Sequence, residues 1–171
     1  GSIADLIEYR SRKEKLINKI EQKKIQTSYG EMNLILYTDI LSQNTHLALI
    51  KGRINKKDNV LVRVHEPLSI LDFLSNQTSH SWTPLESMKL IEKEEKGVIL
   101  FLNDNESQSK LKNTLATKKN KNKQDELRNY GIGSQILVDI GITKMRLLAS
   151  PRKMPSMTGY GLQVTEFIDN N

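Results

Sequence analysis

Residues 83–102, TPLESMKLIEKEEKGVILFL, contain the helix-to-strand transition that decides the fold. Thr83 suits a helix N-cap, and Glu86 stands where a capping box requires its acid. The helix is predicted to end at Gly97, a residue type that often follows a helix. Residues 98–102 are all apolar, which is typical of a central strand covered on both faces. The stretch therefore predicts a sheet with packed layers on both sides.

The spacing of apolar residues predicts further elements on either side of this transition. Helices are predicted over residues 3–12 and 125–140, and strands over residues 31–37, 46–50, 60–65, 144–148 and 162–168. Because strands and helices alternate in the second half, we predict an α/β fold, a three-layer α/β/α sandwich with a mixed sheet.

Composition excludes several classes of protein. The chain has 171 residues and no cysteine, so disulfide scaffolds, thiolate zinc fingers, iron–sulfur clusters and a cysteine nucleophile are ruled out. No apolar run approaches the roughly 20 residues that span a bilayer, and the sequence given shows no signal-peptide pattern. We expect no membrane partner and a cytoplasmic location.

The net charge of +6 is concentrated in one segment. Residues 106–124 hold six lysines and one glutamate, and they contain no aromatic residue. Nucleic-acid-binding surfaces usually combine basic residues with aromatic ones or spread them over an ordered face. We therefore expect a flexible basic loop at about 103–124 and no nucleic-acid partner.

Basic residues beside predicted strands and helices are the candidates for an anion site. Arg63 shares a face of its strand with His65, which points the two either toward a site or toward a paired neighbour. Arg128 lies in the first turn of the predicted helix over residues 125–140, and the glycines at 131 and 133 suggest close approach of another backbone. Arg152 and Lys153 follow a strand end, the edge at which α/β proteins bind anions.

The second half of the chain resembles the C-terminal half of GTP cyclohydrolase II of riboflavin biosynthesis. The words that carry the resemblance are LRNYGIGSQIL, DIGITKMRLL, PRK and GYGLQV, and upstream HLALIKG, VLVRVH and EEKGVILFL follow in the family's order. The similarity extends over about residues 28–168.

The leading segment IADLIEYR resembles the tail of a 3,4-dihydroxy-2-butanone 4-phosphate synthase domain, which many bacteria fuse ahead of the cyclohydrolase. Residues 1–27 are accordingly expected to be a cloning remnant, the tail helix of an upstream synthase domain and a linker, and 28–171 the cyclohydrolase II-like domain. The resemblance implies an upstream synthase partner in the same chain, with Mg²⁺ in that synthase domain, and a homodimer.

The family opens the imidazole ring of GTP, releasing formate and pyrophosphate. A zinc ion on three cysteines activates the attacking water, and an arginine matched by Arg128 takes the phosphoryl group. In a gap-free alignment the zinc-ligand positions fall on Leu68, Ser79 and Ser81. None of these is a good zinc ligand, so no zinc or other cofactor is expected in this domain.

Other positions of the family pattern have changed as well. Glu126 replaces the usual aspartate, and residues 103–109 lack the glycines and arginine of the family's nucleotide loop. Four basic residues remain as phosphate-binding candidates or as purely structural residues: Arg63, Arg128, Arg152 and Lys153. The catalytic roles of Arg128 and Glu126 are expected to be vestigial.

Three hypotheses follow. The first is a degenerate cyclohydrolase II-like domain, inactive on GTP, that serves a fused synthase as a structural or regulatory module. The second is a domain that still binds GTP or a flavin nucleotide and reports it to its partner. The third is an active cyclohydrolase with rebuilt metal ligation, for which His65, His80 and Asp72 are the candidate ligands.

Overall fold

A computed structural model of the chain describes residues 1–65, 82–103, 123–151 and 160–170. Within these ranges the helices are α1 (Ile3–Lys13), α2 (Pro84–Glu94) and α3 (Lys123–Ile140). The strands are β1 (Ile17–Thr27), β2 (Gly30–Asp39), β3 (Thr45–Lys51), β4 (Asn59–His65), β5 (Gly97–Phe101), β6 (Lys144–Leu148) and β7 (Gln163–Ile168). Each predicted helix and strand is confirmed, with ends that differ by no more than two residues.

Seven strands form one mixed sheet in the order β1-β2-β3-β5-β4-β6-β7. Neighbours from β1 to β5 pair antiparallel, whereas β5, β4, β6 and β7 pair parallel. The apolar strand β5 is central, as its sequence predicts. The α/β fold with a mixed sheet is confirmed.

The two faces of the sheet pack against different helices. On one face Val62, Val98 and Leu100 join a buried cluster with Ile132 and Ile136 of α3. On the other face alternate residues, among them Leu61 and Ile99, join a second cluster with Met88 and Ile91 of α2. The period-two alternation of β4 and β5 thus divides their side chains between two cores, and the sheet lies between helices.

The start of α2 is the predicted capping box. The Thr83 hydroxyl accepts from the Glu86 N–H at 3.2 Å, and the Thr83 N–H donates to the Glu86 carboxylate at 3.0 Å. The end of the helix differs from the prediction, because Glu95 takes the left-handed C-cap conformation at φ +62°. Gly97 instead begins β5, where a Cβ atom would lie 2.6 Å from Ile91 Cγ1. Close packing, not helix termination, requires this glycine.

The prediction that the end of segment 1–27 is a linker is wrong. Residues 17–27 form β1, which pairs along its length with β2 at the edge of the sheet. Most of its side chains are exposed, and Ile17 is the buried one. An edge strand held by backbone hydrogen bonds needs no alternating apolar pattern, and its lysines discourage pairing with other chains.

Two further predictions concern the N-terminal helix and the basic loop. The predicted helix over residues 3–12 is α1, whose Ser2 and Asp5 form a capping box. The basic loop at about 103–124 lies outside the described residues, apart from residue 103 and the two residues that begin α3. None of the helices described has the length and apolar character needed to cross a bilayer.

Candidate functional site

The carboxyl ends of several strands meet at one edge of the sheet. Strands β4, β5, β6 and β7 are parallel, and β2 runs in the same direction because both β2 and β5 are antiparallel to β3. In α/β proteins this carboxyl edge is where ligands bind. The candidate residues that the structure describes, Arg63 and Arg128, both lie toward it.

Arg128 is held by an internal carboxylate. Its Nη2 donates to both Oδ1 and Oδ2 of Asp39 at 2.8 Å. Asp39 ends β2, and its side chain is 5% exposed, whereas that of Arg128 is 33% exposed. The contact joins the sixth residue of α3 to the end of β2, so the guanidinium meets an anion that the chain itself supplies.

Asp39 also organises the turn that follows β2. Its Oδ1 accepts from the backbone N–H groups of Leu41 and Ser42 at 2.8 and 3.2 Å. Burial opposes ionisation of this carboxyl, but those hydrogen bonds and the charge of Arg128 outweigh it and lower the pKa of Asp39 below its ordinary value. Asp39 is therefore an ionised anion at neutral pH.

Sequence reasoning did not single out Asp39. The one local signal is its place at the end of an alternating strand, before the polar turn residues Ser42 to Asn44. Nothing in that signal identifies an arginine 89 residues later as its partner.

Arg63 makes a different contact on the other face of the sheet. Its Nη1 donates to the backbone oxygen of Leu148, at the end of β6, at 2.9 Å. Because Val62 and Val64 face the α3 cluster, Arg63 and His65 face the α2 side, where His65 meets the edge of Phe101 at 6.1 Å between ring centroids. Arg63 and Arg128 thus share an edge of the sheet but not a face.

The remaining candidates lie partly or wholly outside the description. Arg152 and Lys153 are outside the described residues, as are the zinc-ligand positions Leu68, Ser79 and Ser81. The backbone of Glu126 belongs to α3, but its side chain is not described.

His46, the third histidine of the sequence, is 3% exposed at the start of β3. Its Nδ1 accepts from the backbone N–H of Asn103 at 3.0 Å, which ties β3 to the residue after Leu102. Within the described ranges, no three His, Asp or Glu side chains lie together as a metal site. The rebuilt set with His65 includes His80 and Asp72, which fall outside those ranges.

An open groove of about 440 Å³ lies at the opposite end of α3. Its rim includes Lys19 and Lys24, which pair with Asp139 at 3.4 Å and Glu31 at 3.7 Å. Both lysines are exposed and already paired, and the groove lies at the end of α3 opposite Arg128. It is therefore not part of the candidate site at the carboxyl edge of the sheet.

The comparisons with known proteins agree with this fold. The family model described as GTP cyclohydrolase II matches residues 18–169. A relative from Neisseria meningitidis serogroup B, named 3,4-dihydroxy-2-butanone 4-phosphate synthase, is 41% identical over 168 residues, covering 98% of this chain and 46% of the relative. The riboflavin biosynthesis protein RibBA of Chlorobium phaeovibrioides is 34% identical, covering 96% of this chain and 44% of the relative.

A solved structure is also similar. RibBX, described as a two domain 3,4-dihydroxy-2-butanone 4-phosphate synthase from A. baumannii, superposes with a TM-score of 0.69 at 31% identity. The match covers 98% of this chain and 45% of RibBX. The chain therefore spans less than half the length of each of these relatives.

Proposed function

The chain belongs to the GTP cyclohydrolase II family of riboflavin biosynthesis, and we propose that it is a member that cannot open GTP. In this proposal it serves as a structural or regulatory module of a 3,4-dihydroxy-2-butanone 4-phosphate synthase. The proposal depends first on the chemistry of the zinc-ligand positions.

The residues at those positions do not fit zinc. Leu68 has no lone pair to donate, and the neutral hydroxyls of Ser79 and Ser81 are poor ligands compared with thiolates. The entire chain contains no cysteine that could substitute. This donor set is the single observation that carries the proposal, because without a Lewis acid water is a weak nucleophile at neutral pH.

The ion pair of Arg128 supports the same conclusion. Asp39, whose side chain is 5% exposed, occupies Nη2 of this guanidinium, so a phosphoryl group that bound at Nη2 would displace the carboxylate. Displacement would leave a buried carboxylate without its cation, which is unfavourable. A structural role for Arg128 therefore accounts for its geometry without any nucleotide.

The names and lengths of the relatives support the synthase context. The relatives from Neisseria meningitidis and A. baumannii are both described as 3,4-dihydroxy-2-butanone 4-phosphate synthases, and each is more than twice as long as the match. We infer that a synthase domain precedes this one in the natural chain and takes the Mg²⁺ ion, and that the whole protein forms a homodimer.

An activity assay tests the proposal. The protein is incubated with GTP, Mg²⁺ and Zn²⁺, and formate and pyrophosphate are measured beside a three-cysteine member of the family as positive control. We expect no release above the protein-free background. Turnover that a chelator abolishes would overturn the proposal in favour of rebuilt metal ligation, as would stoichiometric zinc in untreated protein.

Calorimetric titration with GTP and with flavin mononucleotide tests the sensing alternative. A structural module gives no saturable heat with either nucleotide. Saturable binding that Arg128→Ala removes, while the variant remains folded, would show that the domain senses a nucleotide instead.

A further inference from the structure

We propose that an apolar stripe on α1, formed by Ile3, Leu6 and Tyr9, is the surface on which the synthase domain of the full-length chain docks. The proposal rests on the proposed function for the identity of the partner. It adds where the two domains meet: α1, which the sequence predicts to be the tail helix of the synthase domain, packs against α3 and leaves its apolar stripe exposed.

The stripe is apolar, continuous and exposed. Ile3, Leu6 and Tyr9 recur every three residues, so they lie along one side of the helix. Their exposed fractions are 66%, 55% and 61%. Ala4 and Ile7, which centre about 130° away around the helix, are half-buried, and the helix packs against α3. One side of α1 is therefore packed, while its other apolar side is not covered by any of the residues that the structure describes.

The helix is held in a fixed position on the domain. The side chain of Gln135, on α3, donates from Nε2 to the backbone oxygen of Glu14 at 2.7 Å and accepts at Oε1 from the Leu16 N–H at 2.8 Å. The capping box of Ser2 and Asp5 defines the other end of α1. A stripe on an anchored helix loses little conformational entropy on binding, which favours a docking role.

The comparisons support the choice of the synthase domain as the partner. The family model begins at residue 18, so α1 lies outside the cyclohydrolase module. The synthase relatives nevertheless match 98% of the chain, which includes α1, and more than half of their length remains for another domain. A helix that the two-domain relatives share, and that lies outside the family model, is suited to contact that other domain.

The charges on α1 indicate the chemistry of the opposing surface. The last turn carries Arg10, Arg12 and Lys13. Arg10 pairs with Glu14 at 3.0 Å, and Arg12 lies over the Tyr160 ring. We therefore expect an apolar patch on the synthase domain that covers the stripe, with a carboxylate within reach of Lys13.

Hydrogen exchange on the full-length natural chain and on the present 171-residue chain tests the docking. We expect the α1 amides to exchange about tenfold or more slowly in the full-length chain, because docking restricts local opening of the helix. Leu6→Lys in the full-length chain should remove this extra protection and leave β5 unchanged. Leu85→Lys is the matched control, because Leu85 is 54% exposed but lies on α2, and it should have no effect on α1.

Equal exchange of α1 in the two chains would overturn the proposal. So would self-association of the 171-residue chain in sedimentation that Leu6→Lys abolishes, because the occupant would then be a second copy. Synthase and GTP ring-opening activities are measured on the same full-length samples. Unprotected α1 with synthase activity and no GTP opening refutes the docking alone, whereas GTP opening refutes the proposed function whatever α1 does.

Discussion

Arg128 and Asp39 form an ion pair in which one guanidinium nitrogen lies 2.8 Å from each oxygen of a buried carboxylate. The pair links α3 to the turn after β2. The residue that matches the family's phosphoryl-accepting arginine therefore has a structural partner within this chain. The contact supports the inactivity proposed for the domain, and we expect it to contribute to the domain's stability.

Removing the arginine should destabilise the domain. Arg128→Ala leaves Asp39 buried without its cation, and because Arg128 is one-third exposed we expect a loss of about 2 kcal/mol, below the range for fully buried pairs. Urea unfolding followed by circular dichroism measures the change. Arg128→Lys keeps the charge and should restore part of the loss, whereas a loss below about 0.5 kcal/mol for Arg128→Ala would contradict a structural role.

Stability should also fall in acid because of Asp39. Its folded-state pKa is depressed below the unfolded value of about 3.9, so its contribution is complete well above that pH and is lost as the pH falls through the folded pKa. Asp39→Asn should be less stable than the parent at pH 7, and the difference should shrink toward pH 3. The free energy of unfolding of both proteins is measured at each pH. A difference between them that stays the same from pH 7 to pH 3 would argue against this linkage.

The elements that the sequence predicts well are those whose signal is local. The all-apolar run in β5 and the capping box of Thr83 each depend on neighbouring residues, and both appear where expected. Strand β1 was not predicted, because an exposed edge strand is specified by its pairing with β2 and not by an alternation of apolar residues in its own sequence.

The candidate site was less predictable because its contacts are distant in sequence. Asp39 and Arg128 are 89 residues apart, and Arg63 reaches a backbone oxygen 85 residues away. Spacing could indicate that Arg63 points to a site or to a neighbour, but only the three-dimensional structure identifies Leu148 as the neighbour. Of the four basic candidates, the structure describes Arg63 and Arg128, and each donates a hydrogen bond to another part of the chain.

Substitution by alanine at two glycines should change the stability of the domain in opposite directions. At Gly97 a Cβ would meet Ile91 at 2.6 Å, so Gly97→Ala should destabilise the domain by about 1–3 kcal/mol through overpacking. At Gly133, within α3, a Cβ would lie an ordinary 3.7 Å from Leu100 and Leu102, so Gly133→Ala should stabilise it by about 0.5–1 kcal/mol. Thermal unfolding of both variants measures the two changes. Destabilisation by Gly133→Ala would instead support the sequence-based expectation of close backbone approach at this glycine.

Tyr37 provides a test of a buried hydrogen bond. The residue is fully buried, and its hydroxyl donates to Asp139 Oδ2 at 2.7 Å. Burial, with the hydrogen bond and charge of Asp139, raises the pKa of Tyr37 above its ordinary value. Tyr37→Phe keeps the ring and should cost about 1 kcal/mol in urea unfolding. Tyr29→Phe, at a half-buried tyrosine on the β1–β2 turn, is the control and should change stability little.

Gln135 should control the attachment of α1 separately from the sheet. Gln135→Ala removes the two hydrogen bonds to the backbone of Glu14 and Leu16, so the α1 amides and the Leu16 amide should exchange about tenfold faster. Strand β5 takes part in neither of these two hydrogen bonds, so its amides should exchange faster only as far as the global free energy of unfolding falls. If α1 and β5 lost protection by the same factor, Gln135 would be a general stabilising residue, and α1 would unfold together with the whole domain.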